Sequence, residues 1–329
     1  MSTIRNKQRL IHLYRYLHRE TDDEHQVTTN DLVQYLKEED ANASRKTVKD
    51  DIEVLMKEGV DVVTTKSYFN SYFIGNRAFE VQEVKLLVDG IAANVSLSNE
   101  QKYKIIDKLL ALLSRHQAEK VRKNIHITGN YGINNEQLLY SIDQIIEAIS
   151  TNRKIEYQYY MYAPGGDKML RNGDRFCVIT PIIITCNNNR FYVFGYDGVK
   201  DRLVCERLDC MTKTKMICEA GDKISGTVNV DEFLDSLFSM EIGIPTEVVM
   251  ECTNGLMDTI KDRFGADADI WKSTMERFYI KAKVSVGPAF YSWVFRYAGK
   301  IRIISPASVL NGYLDMIKSV LRKEKENKK

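Results

Sequence analysis

The sequence predicts an α+β, multidomain protein, and two observations carry that prediction. No proline occurs before Pro164, whereas Pro181, Pro245, Pro288 and Pro306 follow it, so the first half is free to be helical and the second is not obliged to be. The spacing of apolar residues also changes at Lys154, from a helical period of about 3.6 to a strand period of about 2. At 329 residues the chain has room for roughly two or three domains and a large core.

Composition narrows the class. With 44% apolar and 28% charged residues the chain resembles ordinary globular proteins, which argues against disorder and against a membrane protein. No apolar run approaches the roughly 18 residues of a spanning helix, and the N-terminus lacks a signal-peptide core, so a cytoplasmic protein with no membrane partner is expected. The net charge of +2 announces no nucleic-acid partner, and any such case must rest on local placement. The cysteines at 177, 186, 205, 210, 218 and 252 form no C-x-x-C pair and have no histidine at zinc-finger spacing. They read as reduced small hydrophobes, and no metal or cofactor is expected.

The elements follow in order. Leu10, Ile11, Tyr14 and Leu17 give a first helix from Ile4 to His18, with Arg5, Arg9 and Arg15 as its basic outer face. Thr28 to Asp31 has the form of a capping box opening a second helix with Leu32, Val33 and Leu36 inward. Ser44 is the expected N-cap of a third, in which Val48, Ile52 and Leu55 share a face and which Gly59 ends. VDVVTTKSYFNSYFIG then reads as a hairpin around a polar turn at 67–71, completing a winged helix-turn-helix over residues 1–77. Residues 78–150 carry three helical patterns, from Val84 to Val95, from Ile105 to Leu113 and from Leu138 to Ile149, and form a helical connector.

From Lys154 to about Cys218, five β-like segments predict a small antiparallel barrel or sheet, placed in a domain of residues 151–222 with Arg175 opening its second strand and Arg202 its fourth. Residues 223–329 alternate strand and helix in a β-α-β-β-α-β order, closest to a ferredoxin-like sandwich, with a faint second strand at Asp269 to Lys272.

The third helix carries the strongest functional signal. Arg45, Lys46 and Lys49 occupy its start, where positive charge opposes the helix dipole, yet its first residues are those a recognition helix presents to bases and phosphates in the major groove. A solvated surface helix favours acids there and needs neither a preceding short helix nor a following hairpin. Double-stranded DNA is therefore the expected partner, through Ser44, Arg45, Lys46, Thr47 and Lys49. Residues 1–76 hold slightly more acids than bases, so a homodimer with two heads is expected to supply affinity.

These features resemble a known family. Residues 4–76, with Ser44-Arg45-Lys46-Thr47 leading into Lys49-Asp50-Asp51-Ile52, are similar to the N-terminal winged helix-turn-helix of WYL-domain transcriptional regulators. Thr180-Pro181, Asn189 to Asp197 and Glu206-Arg207-Leu208-Asp209 resemble the WYL core, an Sm/SH3-like β-barrel, with Phe191-Tyr192-Val193 in place of the naming triplet. Trp293 to Pro306 is similar to the family's C-terminal extension domain, which implies dimerisation or gating. The family often has a second arginine where this chain has Cys210, which implies a less cationic pocket.

The resemblance implies a transcription regulator sensing an oligonucleotide or nucleotide-like effector, with Tyr157, Tyr159, Arg175, Tyr192, Arg202 and Arg207 as effector-binding residues. Arginine meets phosphate bidentately, and tyrosine stacks on bases. An internal pair of Arg207 with Asp209 or Glu206 is the structural alternative. A different class of function, an accessory module of a defence or repair system that binds RNA or single-stranded DNA, fits the same barrel. Catalysis finds no support: His12, His18, His25, His116 and His126 show no H-E-x-x-H spacing, and neither G-x-S-x-G nor a phosphate-loop motif occurs, so no enzyme is expected.

Overall fold

A computed structural model describes residues 2–66, 68–127, 137–223 and 230–326. Residue 67 of the hairpin turn and the side chain of Arg5 lie outside the described ones. The chain is α+β and divides into two compact units, 1–136 and 137–329.

In the first unit, α1 (Ser2–Glu20), α2 (Thr29–Glu38) and α3 (Arg45–Lys57) precede a hairpin of β2 (Val62–Thr65) and β3 (Ser71–Ile74), and a two-residue strand β1 (Val27–Thr28) pairs with β3. The local signals act as expected. Thr28 Oγ1 accepts from the Asp31 amide while Asp31 accepts from the Thr28 amide, and Ser44 Oγ accepts from the Thr47 amide at 3.1 Å. Past α3, Gly59 takes a φ of +91°, and the Val60 amide turns back onto the Leu55 carbonyl at 3.0 Å. Leu32 and Leu36, with Val48, Ile52 and Leu55, pack on Leu13 and Leu17 of α1 and on Val62, Tyr72 and Ile74 of the hairpin.

Helix α1 is rotated from the expected setting. Its buried row runs through Leu13 and Leu17, while Ile11 and Tyr14 are 50% and 40% exposed. Two apolar stripes at helical spacing overlap on this helix, and burial follows the one that faces α2 and α3. The rotation carries Arg9 inward, correcting its assignment to the outer face. Its Nε and Nη2 donate to the Asp51 carboxylate at 2.5 and 3.1 Å, and Asp51 sits on the inner side of α3. Asp51→Ala should cost about 3 kcal/mol in urea unfolding by stranding the guanidinium, and Arg9→Met with Asp51→Leu should recover most of that loss.

Three further helices, α4 (Val81–Ala93), α5 (Asn99–Leu110) and α6 (Arg115–Arg122), close around Val84, Val88, Ile106, Leu110, Leu113 and Val121. A buried polar knot ties them to the segment after α1. Asp22, 3% exposed, accepts from Ser114 Oγ, the N-cap of α6, and from the amide and ring of His25, whose imidazole stacks on His116 at 3.6 Å. Burial opposes the Asp22 charge, but the hydrogen bonds from Ser114 and His25 outweigh it and its pKa is lowered. A carboxylate with a depressed folded pKa stabilises above its unfolded value of about 3.9, and that contribution is lost as the pH falls through the folded value. The stability gap between wild type and Asp22→Asn should therefore be widest near neutrality and narrow below about pH 4, as followed by denaturant titration at each pH.

In the second unit, α7 (Leu138–Ser150) packs on a curled sheet of β4 (Arg153–Tyr162), β5 (Lys168–Asp174), β6 (Cys177–Asn187), β7 (Arg190–Asp197), β8 (Arg202–Arg207) and β9 (Met211–Ala220). Helix α7 continues the helical pattern of the connector in sequence, yet its Ser141 donates to Thr214 and its Gln144 accepts from the Met216 amide, both on β9. Strand order β9-β4-β6-β7-β8 begins and ends at two strands joined by one 3-10 turn, Leu208–Cys210, so the sheet curls onto itself. Ile155, Val193, Leu208 and Met211 are fully buried within it.

Two expectations change here. Residues 168–174, which lie between the first two expected strands, form a further strand, β5, which folds back on the end of β4 with Tyr160 opposite Leu170 and Tyr162 opposite Lys168. The strand is exposed along almost its whole length, so no apolar alternation marks it. Arg175 consequently lies in the bend between β5 and β6, not at the opening of a strand. In β7 Val193 through Asp197 are all buried, on both faces of the strand, and Phe233 of α8 (Val230–Ser236) meets Phe194 edge-on at 5.6 Å. Gly195 is required where β7 crosses β6: a Cβ there would stand 2.8 Å from Ile179 Cδ1 and 2.9 Å from the Thr180 carbonyl.

The remaining elements are β10 (Ile244–Thr253), α9 (Met257–Phe264), β11 (Asp269–Lys272), β12 (Arg277–Val286), α10 (Pro288–Phe295), β13 (Ile301–Ser305) and α11 (Ala307–Glu326). The β-α-β-β-α-β order is present, in an antiparallel sheet β11-β12-β10-β13 with core residues Val248, Met250, Ile280, Phe290 and Ile303. Among the described residues no helix is long and apolar enough to cross a membrane.

Candidate nucleic-acid interface

Burial of Val48, Ile52 and Leu55 at 0%, 2% and 7% fixes the rotation of α3, and with it what the helix offers to solvent. Arg45, Lys46 and Lys49 are exposed, and no acid stands in the first turn to neutralise them. Ser44 and Thr47 differ from them. Their hydroxyls meet each other at 2.8 Å while Ser44 caps the helix, so both are engaged in holding the start of α3.

Opposite these cations stands the hairpin turn. Tyr68 and Phe69, 90% and 56% exposed, contact each other edge-on at 4.8 Å, and with Arg45, Lys49 and Asn70 they line a cleft of about 170 Å³. In sequence these aromatics fall in the expected polar turn at 67–71, but they were given no role there. The available signal was their position beside Asn70 in a polar turn, where no core can reach them.

On the curled sheet, the expected cations are organised by two carboxylates. Asp209 is fully buried in the 3-10 turn and accepts from Arg207 Nε and Nη2 at 3.0 and 2.7 Å and from Arg190 Nη1 at 2.8 Å. The internal pair considered for Arg207 is therefore formed, with Asp209. Two guanidiniums on one carboxylate leave a net positive charge at a partly exposed edge, since the arginine side chains are 25% and 33% exposed. The hydrogen bonds to Asp209 raise the Arg207 pKa against the opposing effect of burial. Tyr192, half-buried, is the cross-strand partner of Arg207.

Glu206 faces the other way and binds Arg171, a residue missed from the sequence because β5 was missed. Arg171 donates to Glu206 at 2.9 and 2.7 Å and lies over the Tyr159 ring at 4.2 Å. Burial raises the pKa of Tyr159 and of Tyr157. At 1% exposure Tyr157 belongs to the packed interior, which leaves its ring no face for a ligand and corrects its place among the binding residues. Arg202 is exposed and shares with Arg171, Cys205 and Glu206 a cleft of about 620 Å³. Burial pushes the Cys205 thiol up to about 12, so it enters that cleft as a neutral apolar group. Arg175 is exposed in its bend and is not among the lining residues of this cleft. The structure thus brings Arg171 to Arg202 and Tyr192 to Arg207, and gives Arg207 a second guanidinium, Arg190. Among the described residues no group of His, Cys, Asp and Glu side chains is arranged to hold a metal ion.

The sequence matches no protein-family model and no curated protein. Two solved structures align over most of the chain. One is proteasome accessory factor B/C (PafBC) of Arthrobacter aurescens, at 14% identity and a TM-score of 0.29, covering 96% of this chain and 49% of the other. The second, a CRISPR Cas-related protein, is 12% identical at a TM-score of 0.37, covering 99% of this chain and 86% of the other. This chain therefore spans about half the length of the first. Both scores are too low to establish a shared fold, and the motif residues quoted above remain the basis of the family resemblance.

The shared carboxylate makes the Asp209 cluster asymmetric. Asp209→Ala should destabilise by about 3 to 5 kcal/mol, since it leaves two guanidiniums without a partner. Arg207→Ala should cost only about 1 to 2 kcal/mol, because Arg190 still satisfies the acid. Urea unfolding of the two variants checks the ratio.

Proposed function

We propose that the chain is a duplex-DNA-binding transcription regulator with a ligand-responsive barrel. In this reading the elements from α1 to β3 form a winged helix-turn-helix head, α3 is its recognition helix, and Tyr68 and Phe69 form the tip of its wing. The curled sheet is an Sm-like barrel of WYL type, and the C-terminal sheet with its helices is a ferredoxin-like extension.

The observation that carries the proposal is the set of exposed cations on the first turns of α3, at a helix end where the dipole disfavours them. A phosphate or base edge supplies the compensation that the fold does not. The barrel cations support an anionic effector: Arg207, Arg190, Arg171 and Arg202 are held at exposed edges, and Tyr192 adds a ring beside Arg207. A homodimer is proposed as well, because one near-neutral head binds a half-site weakly. Leu314 and Leu321, exposed on one face of α11, offer surface for it.

Selection of bound fragments from a genomic duplex library tests the reading directly. Enrichment of a two-fold symmetric site is expected, and tight single-strand binding without duplex preference would overturn the proposal in favour of an RNA- or single-strand-binding accessory module. On an enriched site, Lys46→Ala and Lys49→Ala should leave the unfolding transition unchanged. If the residue contacts phosphate, its removal should lower the slope of log affinity against log salt by about one unit. If it reads a base, the loss should be about 1 to 3 kcal/mol, confined to one base pair.

A further inference from the structure

Among the described residues no carboxylate is bound to the guanidinium of Arg263, on α9. Its Nη2 donates to the Leu237 carbonyl at 2.7 Å, and its plane lies over the Phe238 ring at 4.2 Å and near the Phe264 ring at 5.3 Å. Asp235 acts on it only through space. Burial lowers its pKa, the reverse of Arg171 and Arg207, which hold carboxylates in the same unit. A half-buried cation that lies against apolar rings and has no bound carboxylate among the described residues gains from an incoming anion.

Around Arg263 lies a cleft of about 650 Å³, a volume usual for small-molecule sites. Of the charged residues that line the cleft, Arg263 and Arg296 are cations and Glu241 is an acid. Helix α10 begins here at Pro288 with no side-chain cap, and Ala289, in its first turn, lines the cleft. Trp293 forms one wall. The indole is half-buried and gripped by Phe238 at 5.2 Å, Phe264 at 5.8 Å and Tyr297 at 5.3 Å, so a flat surface is held rigidly beside the cations. Asn187 and Asn188, from the β6–β7 turn, add amide groups to the rim.

We propose that this cleft binds a phosphomonoester joined to a planar ring, the chemistry of a nucleoside 5′-phosphate. The phosphate would sit on Arg263 and Arg296 at the start of α10, with the ring against Trp293. The proposal does not rest on duplex binding by α3 or on an effector at Arg207.

The chain holds two tryptophans, so the full-length protein carrying Trp271→Phe reports on Trp293 alone. Titration with adenosine 5′-monophosphate should change its emission saturably, and adenosine over the same range should not. Arg296→Gln, at an exposed position, and Arg263→Lys, which keeps the charge but loses the planar fork, should each weaken binding by about tenfold. Absence of a saturable change, equal responses to the nucleotide and to adenosine, or parental affinity in both variants would overturn the proposal.

Discussion

A fully buried carboxylate governs the second unit. Asp209 has no access to water, and a charge so placed requires partners of opposite sign at hydrogen-bonding distance. It draws Arg207 from the end of β8 and Arg190 from the start of β7 onto one turn, and the same residue's backbone carbonyl accepts from the hydroxyl of Tyr160 on β4. That turn joins β8 to β9, and β9 pairs with β4, so curling of the sheet and convergence of the cations have one cause. Glu206, at the end of β8, points to the opposite face and gathers Arg171 over Tyr159. The strand end and the turn that follows it thus create two separately held cationic edges.

Much of this was legible in the sequence, and what was not has identifiable reasons. The caps at Thr28 and Ser44, the buried row of α3 and the glycine stop at Gly59 depend on local chemistry, which a sequence displays. Strand β5 depends on pairing with the end of β4 and buries almost nothing, so it leaves no periodic trace, and Arg171 vanished with it. Arg9 was hidden for a different reason. An arginine among exposed-looking positions reads as solvated until the partner helix brings Asp51 opposite it. Likewise α7 shows a helical period but not its neighbour, and its packing on β9 follows from Ser141 and Gln144 finding partners 70-odd residues away. Among the candidate binding residues, identity was readable at the level of charge, while accessibility was not. Tyr157 and Tyr192 look equivalent in sequence, and only folding separates the buried ring from the half-buried one.

The contrast between paired and unpaired arginines organises the chemistry of the chain. Arg9, Arg171, Arg190 and Arg207 are bound to carboxylates, and their guanidiniums serve architecture first. Arg45, Lys46 and Lys49 remain in water at a helix end that does not favour them, and Arg263 is half-buried with no bound carboxylate among the described residues. Cations placed against their local electrostatics are the ones with most to gain from a partner outside the chain.

The Arg9–Asp51 bond has a consequence for how such a head could evolve. Orientation of α3 is set from within, by one ion pair and three aliphatic side chains, while Arg45, Lys46 and Lys49 remain exposed. Substitutions among the exposed residues therefore leave the scaffold's folding free energy nearly untouched. A lineage carrying these helices can change the surface they present by small steps, each variant remaining a folded protein along the way.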